Sequence, residues 1–151
     1  DMALLKWSDI KEGRMIYSRA KTGKVYNIGL LKPAIVILKD YKKITGGKKD
    51  NYVFPILNKE KHVTPKQIDN RIKKTTKMIN SDLKEIAKKA KIDFNLTTYV
   101  ARHSYATIMK RSGASTSVIS ESLGHTSEKT TQVYLDSFEN LILDKANSAI
   151  L

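Results

Sequence analysis

The hydrophobic periodicity of this chain changes near residue 31, and that change limits the folds it can adopt. Up to Leu30 apolar residues largely alternate with polar ones, and Lys21-Thr22-Gly23-Lys24 places a turn glycine between two such runs. The alternating pairs are Leu5 with Trp7, Met15 with Tyr17, and Tyr26 with Ile28. The pattern predicts a small antiparallel sheet with a hairpin whose tip carries lysines.

Helix signals dominate the rest of the chain. Pro33 and Thr64-Pro65 stand where a first helical turn is expected, and Gly46-Gly47 ends the first of these helices. Later glycines occupy positions that need left-handed helix caps. The later predicted helices are Thr98–Ser112 before Gly113, Ser117–Leu123 before Gly124, a segment from about Ser127, and a tail from Phe138.

Charge narrows the choice of partner. The 151 residues contain 28 Lys and Arg against 15 Asp and Glu, a net charge of +13. Eleven basic and four acidic residues lie between Lys59 and Lys91, a local excess of seven positive charges. A solvated basic face is the alternative for one helix, but the excess over the whole chain favours contact with a polyanion such as the DNA backbone.

Composition also excludes several classes of protein. The absence of cysteine rules out disulfide frameworks, thiolate zinc sites and a cysteine nucleophile. No apolar run approaches the roughly 18 residues of a membrane span, and the start has no signal-peptide pattern, so we expect an intracellular protein without membrane contact. Phosphate-binding glycine loops, zinc-protease motifs and clusters of carboxylates for magnesium are missing as well.

Residue types that suit phosphoryl transfer without a metal occur in order in the last third. Such chemistry needs a side-chain nucleophile, cations around the non-bridging oxygens and an acid for the leaving oxygen. Tyr99 and Arg102 are three residues apart and so share a helix face. His125 follows the capping Gly124 on a turn, where an imidazole can reach outward, and Tyr134 lies nine residues further on.

These residues and the short motifs around them resemble the catalytic motifs of the tyrosine recombinases, the phage integrase family. The resemblance is to integrases of bacterial mobile elements in particular. The matching runs, in order, are Leu5-Lys6-Trp7, the Lys21–Lys24 hairpin, Phe54-Pro55, Ala101–Thr107, Leu123-Gly124-His125 and Tyr134. The resemblance covers nearly the whole chain. It implies an α+β fold, mainly α-helical with a small antiparallel sheet, and site-specific DNA recombination or integration without a cofactor or metal.

The resemblance also implies a role for each matching residue. Tyr134 would attack the scissile phosphate, form a 3′-phosphotyrosyl bond and release a 5′-hydroxyl. Arg102 would clamp the non-bridging oxygens, which suits its planar guanidinium, and His125 would add a hydrogen bond to the same phosphate. Lys21 would protonate the leaving oxygen, although Lys24 on the same hairpin is its rival because a one-residue slip exchanges the two faces.

The sequence departs from the family pattern at two points. Tyr99 stands where the family usually has His or Lys, and it can donate a hydrogen bond but carries no positive charge. The family's first catalytic arginine lies in a motif that also contains an acidic residue. That acidic residue aligns with Asp1. We therefore expect residues 1–151 to form the catalytic domain of a longer enzyme, with that arginine and a DNA-binding domain before residue 1. Without that arginine, residues 1–151 alone should cleave DNA poorly.

Several alternatives remain open at this stage. Tyr134 can be a core residue, Tyr99 can be a packing residue, and His103 is more readily a structural partner than a catalyst. The apolar tail from Phe138 either packs on its own core or docks on a neighbouring protomer in a DNA-bound homotetramer, and without DNA the chain can be monomeric.

The rivals for function are a DNA-binding module that has lost catalysis, a type IB topoisomerase, and a basic structural or ribosomal protein. A recombinase would act in the cytoplasm, at the nucleoid.

Overall fold

A three-stranded antiparallel sheet forms near the start of the chain, as the alternating pattern predicts. The computed structural model describes residues 1–125, 127–132 and 135. Strands β1 (Ile10–Lys11), β2 (Arg14–Ser18) and β3 (Val25–Gly29) are adjacent in that order. Ser18 pairs with Val25, which leaves residues 19–24 as the hairpin loop.

The first alternating pair does not belong to this sheet. Residues Met2–Leu4 and Trp7–Asp9 form 3-10 turns, and Lys6 makes an isolated bridge with Tyr52. The indole Nε1 of Trp7 donates to the hydroxyl of Thr45 over 2.9 Å. Period-2 alternation reveals one buried face but not the partner strand, so the prediction that Leu5 and Trp7 extend the sheet is wrong.

In the described part of the chain up to residue 125, four helices follow the sheet, and most of their ends lie within a residue of the predicted ones. The helices are α1 (Lys32–Thr45), α2 (Pro65–Lys89), α3 (Thr98–Arg111) and α4 (Thr116–Leu123). Residues 128–132 are also helical, as expected near Ser127. Gly46 and Gly124 cap α1 and α4 in the left-handed conformation, with φ of 76° and 67°. A residue with a Cβ adopts that conformation only at a cost.

Helix α2 begins with a reciprocal cap. The amide of Gln67 donates to the Thr64 hydroxyl over 3.3 Å, and the Gln67 side chain accepts from the amide of Thr64 over 2.9 Å. This arrangement satisfies donors that a helix start otherwise leaves without partners. Pro65 in the first turn needs no such partner because it lacks an N–H.

The chain divides into two compact units, Asp1–Met78 and Ile79–Leu151, each with its own buried residues. In the first unit the main buried apolar side chains are Ala3, Leu5, Tyr26, Val53 and Leu57. In the second, one cluster consists of Ala106 from α3, Ile119 and Leu123 from α4, and Leu135. This cluster joins α3, which carries Tyr99 and Arg102, to α4, whose C-terminal cap Gly124 directly precedes His125. In the described part of the chain no helix is both long and apolar enough to span a membrane.

Candidate active site

Arg102 is held by α3 with its guanidinium directed at the end of α4. Its Nη2 donates to the carbonyl oxygen of Leu123 over 2.7 Å and lies 2.9 Å from Nε2 of His125. Leu123 is the last residue of α4, where helix carbonyls carry partial negative charge. Arg102 is only partly buried. The guanidinium is therefore anchored by one edge, and its remaining donors can serve an anion.

His125 is fixed at both ring nitrogens. Gly124 ends α4, and the backbone amide of His125 donates to the carbonyl of Ser120 over 3.0 Å. Nδ1 of the imidazole lies 2.7 Å from Oγ1 of Thr131, and Nε2 faces Arg102. The half-buried ring contacts Arg102 and Thr131 within the second unit, and its predicted reach toward an outside group stays a prediction.

The contacts of His125 determine its tautomer. A guanidinium can only donate, so Nε2 must accept the hydrogen bond from Arg102. The proton of the neutral ring is then on Nδ1 and is donated to the Thr131 hydroxyl. Arg102, His125 and Thr131 thus form a continuous chain of hydrogen bonds.

Tyr99 lies one turn before Arg102 on α3 and is 56% exposed. Its ring packs edge-to-face on His103, with centroids 4.6 Å apart. Its hydroxyl makes no recorded hydrogen bond to any of the residues that the structure describes. Tyr99 therefore combines a packing contact with an exposed phenol, so both interpretations of this residue remain compatible with its position.

His103 has the character of a structural side chain. Burial lowers its pKa, and the positive charge of Arg102 lowers it further. Both effects disfavour the imidazolium form. The fold therefore favours the neutral ring of His103, which suits packing against Tyr99 better than contact with a phosphate.

The two lysines of the β2–β3 hairpin, Lys21 and Lys24, differ in the contacts of their ammonium groups. Lys21 is exposed at the tip of the loop, and no hydrogen bond or ion pair of its ammonium is recorded among the described residues. The ammonium of Lys24 instead lies 5.5 Å from the centroid of the Tyr26 ring, within cation–π range. Lys21 is thus the lysine available to an outside group.

Asp1 braces the same loop. Its carboxylate accepts from the amide of Ala20 over 3.0 Å and lies 3.8 Å from Nε of Arg19. These contacts hold the residues immediately before Lys21.

Tyr134 and the tail from Phe138 lie outside the described residues, so the roles predicted for them stay predictions. Within the described residues, no group of three or more His, Asp or Glu side chains is arranged to bind a metal.

Comparison with known proteins accounts for this set of motifs. The sequence model of the phage integrase family matches residues 1–140. The chain belongs to the phage integrase family. The match extends over both units and includes every candidate site residue.

Relatives of this phage integrase family member are tyrosine recombinases. A tyrosine recombinase of Thermosipho africanus is 36% identical over 101 residues, which cover 67% of this chain and 30% of that protein. Tyrosine recombinase XerD of Agrobacterium fabrum is 28% identical over 142 residues, or 82% of this chain and 40% of that one. The chain spans less than half the length of either relative.

A solved structure supports the same fold. The XerA recombinase crystal structure superposes with a TM-score of 0.61 and 25% sequence identity, over 88% of this chain and 46% of that one. The α+β fold with a small antiparallel sheet is thereby confirmed. The chain corresponds to the catalytic domain of a tyrosine recombinase.

Sequence reasoning missed two partners in this phage integrase fold. The carbonyl of Leu123 is a backbone group and leaves no sequence signal for its contact with Arg102. Thr131 is fully buried and six residues from His125. A threonine in a polar run, Thr130-Thr131-Gln132, reads as surface, and only the fold reveals which of the two is inside.

Proposed function

We propose that this chain catalyses DNA strand cleavage and rejoining in site-specific recombination, through a covalent phosphotyrosyl intermediate and without a cofactor or metal. Arg102 and His125 bind the non-bridging oxygens of the scissile phosphate. Tyr134 is the nucleophile, Lys21 is the general acid, and Tyr99 donates a hydrogen bond from the position next to Arg102. The observation that carries the proposal is the hydrogen-bonded pairing of Arg102 with His125 in a family of tyrosine recombinases.

The reaction consists of one exchange at phosphorus and its reversal. The phenol of Tyr134 gives its proton to solvent as its oxygen bonds to the phosphorus of the scissile phosphate. The bond from phosphorus to the 5′ oxygen breaks, and Lys21 transfers a proton to that oxygen. The products are a 3′-phosphotyrosyl strand and a free 5′-hydroxyl. A 5′-hydroxyl from another strand then attacks the phosphotyrosyl bond and releases the tyrosine. Because the energy of the phosphodiester is kept in the covalent link, rejoining requires no ATP.

The local geometry supports the phosphate-binding roles. The Arg102 guanidinium is anchored on the Leu123 carbonyl, and a planar group with several donors fits two oxygens of one phosphate. Preorganised donors contribute most where charge develops in the transition state. Exposure of the Lys21 side chain at the hairpin tip supports its role as a proton donor to an outside group.

The charge distribution supports duplex DNA as the partner. Three exposed lysines of α2 that lie in the first unit, Lys66, Lys73 and Lys77, are spaced by seven and four residues and so lie on one face of the helix. The opposite face carries the half-buried Ile68 and Ile72. We further propose that recombination proceeds in a homotetramer on DNA, in the cytoplasm, and that a separate DNA-binding domain works with this catalytic domain.

The test is the formation of a covalent adduct. The full-length gene product is incubated in EDTA with a library of nicked suicide duplexes that have a randomised centre, so no target sequence is assumed. After cleavage the short fragment diffuses away and the reaction cannot reverse. We expect protein–DNA adducts that survive denaturation.

Two outcomes would contradict the proposal. An absence of adducts from the wild-type protein would favour a DNA-binding module without catalysis. Relaxation of supercoiled DNA without exchange between two sites would favour a topoisomerase. Sequencing of the captured duplexes would identify the target site.

A further inference from the structure

Thr131 is buried against the imidazole of His125. Its side chain is fully excluded from solvent, and Oγ1 lies 2.7 Å from Nδ1 of the ring. A buried hydroxyl without a partner costs free energy, so this contact contributes to the placement of both side chains. The ring of His125 cannot rotate about its Cβ–Cγ bond without breaking the contact.

The chemistry of a hydroxyl matters for what His125 does next. Nε2 lies 2.9 Å from the Arg102 guanidinium, which can only donate, so we infer that Nε2 accepts and that Nδ1–H donates to the Thr131 hydroxyl. To donate a hydrogen bond to a phosphate oxygen, the neutral ring must carry its proton on Nε2 instead. Nδ1 then becomes an acceptor, and its partner must become a donor. A threonine hydroxyl does both by rotating its hydrogen, whereas a carboxylate can only accept.

We propose that Thr131 is the positioning residue of His125 and that its hydroxyl serves both tautomers of the ring. In the free site it accepts from Nδ1–H. When a phosphate binds, the guanidinium of Arg102 gives up its contact with Nε2 and turns to the phosphate, the Thr131 hydroxyl donates to Nδ1, and Nε2–H donates to a phosphate oxygen. The ring keeps its buried contact through the change, so the site exchanges Arg102 for an oxygen anion without moving the imidazole.

The first test does not depend on catalysis. Long-range ¹H–¹⁵N NMR of the imidazole nitrogens identifies the protonated nitrogen of each of the three histidines, and loss of one set of signals in His125→Asn assigns His125. We expect Nδ1–H in the free protein and Nε2–H after addition of the duplex captured by the adduct assay. Inorganic phosphate is the probe if no adduct forms. An Nε2–H ring in the free wild-type protein would overturn the proposal.

The second test uses three variants. Thr131→Val keeps the shape and removes the hydroxyl, Thr131→Ser keeps the hydroxyl, and Thr130→Val changes the exposed neighbour as a control. We expect Thr131→Val to change the tautomer signals of His125 and to slow single-turnover cleavage by about 10- to 100-fold, by analogy with the hydrogen-bond partners that orient metal-bound histidines. Thr131→Ser and Thr130→Val should keep the wild-type signals and rate.

The outcomes separate this proposal from the function on which its kinetic part rests. If the wild-type protein forms no adduct, the proposed function fails, and the NMR result alone decides the role of Thr131. If adducts form and Thr131→Val cleaves like wild type with unchanged His125 signals, the positioning role is wrong. A fall in melting temperature that Thr131→Ser shares, without a change in tautomer, would mean that Thr131 only supports the fold.

Discussion

Nη2 of Arg102 lies 2.9 Å from Nε2 of His125, so the guanidinium and the imidazole meet at the point where both are proposed to contact a phosphate. A second donation, to the Leu123 carbonyl over 2.7 Å, fixes the guanidinium on α4. A lysine ammonium cannot reproduce this planar arrangement because it is a point charge on a flexible stem.

We therefore expect Arg102→Lys to slow cleavage by about 10²- to 10³-fold, as when one preorganised donor to the transition state is lost. Duplex affinity should change much less, since one phosphate contact among many is altered. Rapid-quench cleavage and fluorescence anisotropy measure the two quantities. Arg111→Lys, at the exposed end of the same helix, is the matched control and should cleave normally. Equal rates for the two variants would exclude a phosphate-clamping role for Arg102.

Acid should destabilise the second unit through His103. Burial, and secondly the charge of Arg102, lower the pKa of this histidine below its ordinary value of 6.5. Between the lowered pKa of the folded chain and pH 6.5, the unfolded chain therefore binds a proton at His103 that the folded chain does not bind. The free energy of unfolding rises with pH over this range. The contribution is complete above pH 6.5 and is lost as the pH falls through the lowered folded pKa.

Urea unfolding at pH 7 and pH 5 tests this prediction. The wild-type protein should lose more free energy of unfolding on acidification than His103→Gln, whose side chain does not titrate. Parallel losses in the two proteins would mean that His103 is not held neutral by the fold.

Gly124 should be sensitive to any side chain. Its φ of 67° at the end of α4 lies in the left-handed region, and the residue directly precedes His125. We expect Gly124→Ala to lower the free energy of unfolding by about 1 to 2 kcal/mol and to slow cleavage by displacing the imidazole. Gly124→Asn should be milder because asparagine tolerates this conformation better. If the Ala and Asn variants were equally stable, the backbone strain argument would be wrong.

The lysine face of α2 should determine part of the salt dependence of DNA binding. Each phosphate contact that is removed lowers the slope of log K against log salt by about 0.9. Replacing Lys66, Lys73 and Lys77 with Gln should therefore reduce the slope by about 2 to 3. The control replaces three exposed lysines that lie outside the proposed DNA-binding face, on helix α1: Lys39, Lys42 and Lys43.

Anisotropy titrations at several salt concentrations give both slopes. A larger reduction in the α1 variant than in the α2 variant would place the DNA elsewhere on the first unit.

Local rules account for most of the fold. The starts of α1 and α2 follow from Pro33 and from Thr64-Pro65, and the ends of α1 and α4 follow from Gly46 and Gly124, because these residues act through their own backbone conformation. The hairpin followed from period-2 alternation around Gly23. Alternation could not assign Leu5 and Trp7 to a partner, since pairing with residues 51–53 depends on contacts distant in sequence.

In the candidate site, too, short motifs in the sequence indicate which residues matter, whereas their contacts depend on parts of the chain that are distant in sequence. The meeting of Arg102 with His125 is consistent with the family motifs, but the identity of each contact atom is a matter of packing between α3 and α4. Thr131 lacked a signal because burial of one threonine in a polar run is decided by the surrounding fold. The nucleophilic role of Tyr134 remains a prediction from the motif.

The central claim is that Tyr134, and none of the other six tyrosines, forms the covalent bond to DNA. Its most direct measurement is mass spectrometry of the nuclease- and trypsin-treated adduct, which locates the residue that carries the nucleotide. Tyr134→Phe, which should bind DNA and yield no adduct, is the companion variant. We expect a nucleotide joined through its 3′-phosphate to Tyr134 alone. Its appearance on another residue such as Tyr99, or an undiminished adduct from Tyr134→Phe, would contradict the account.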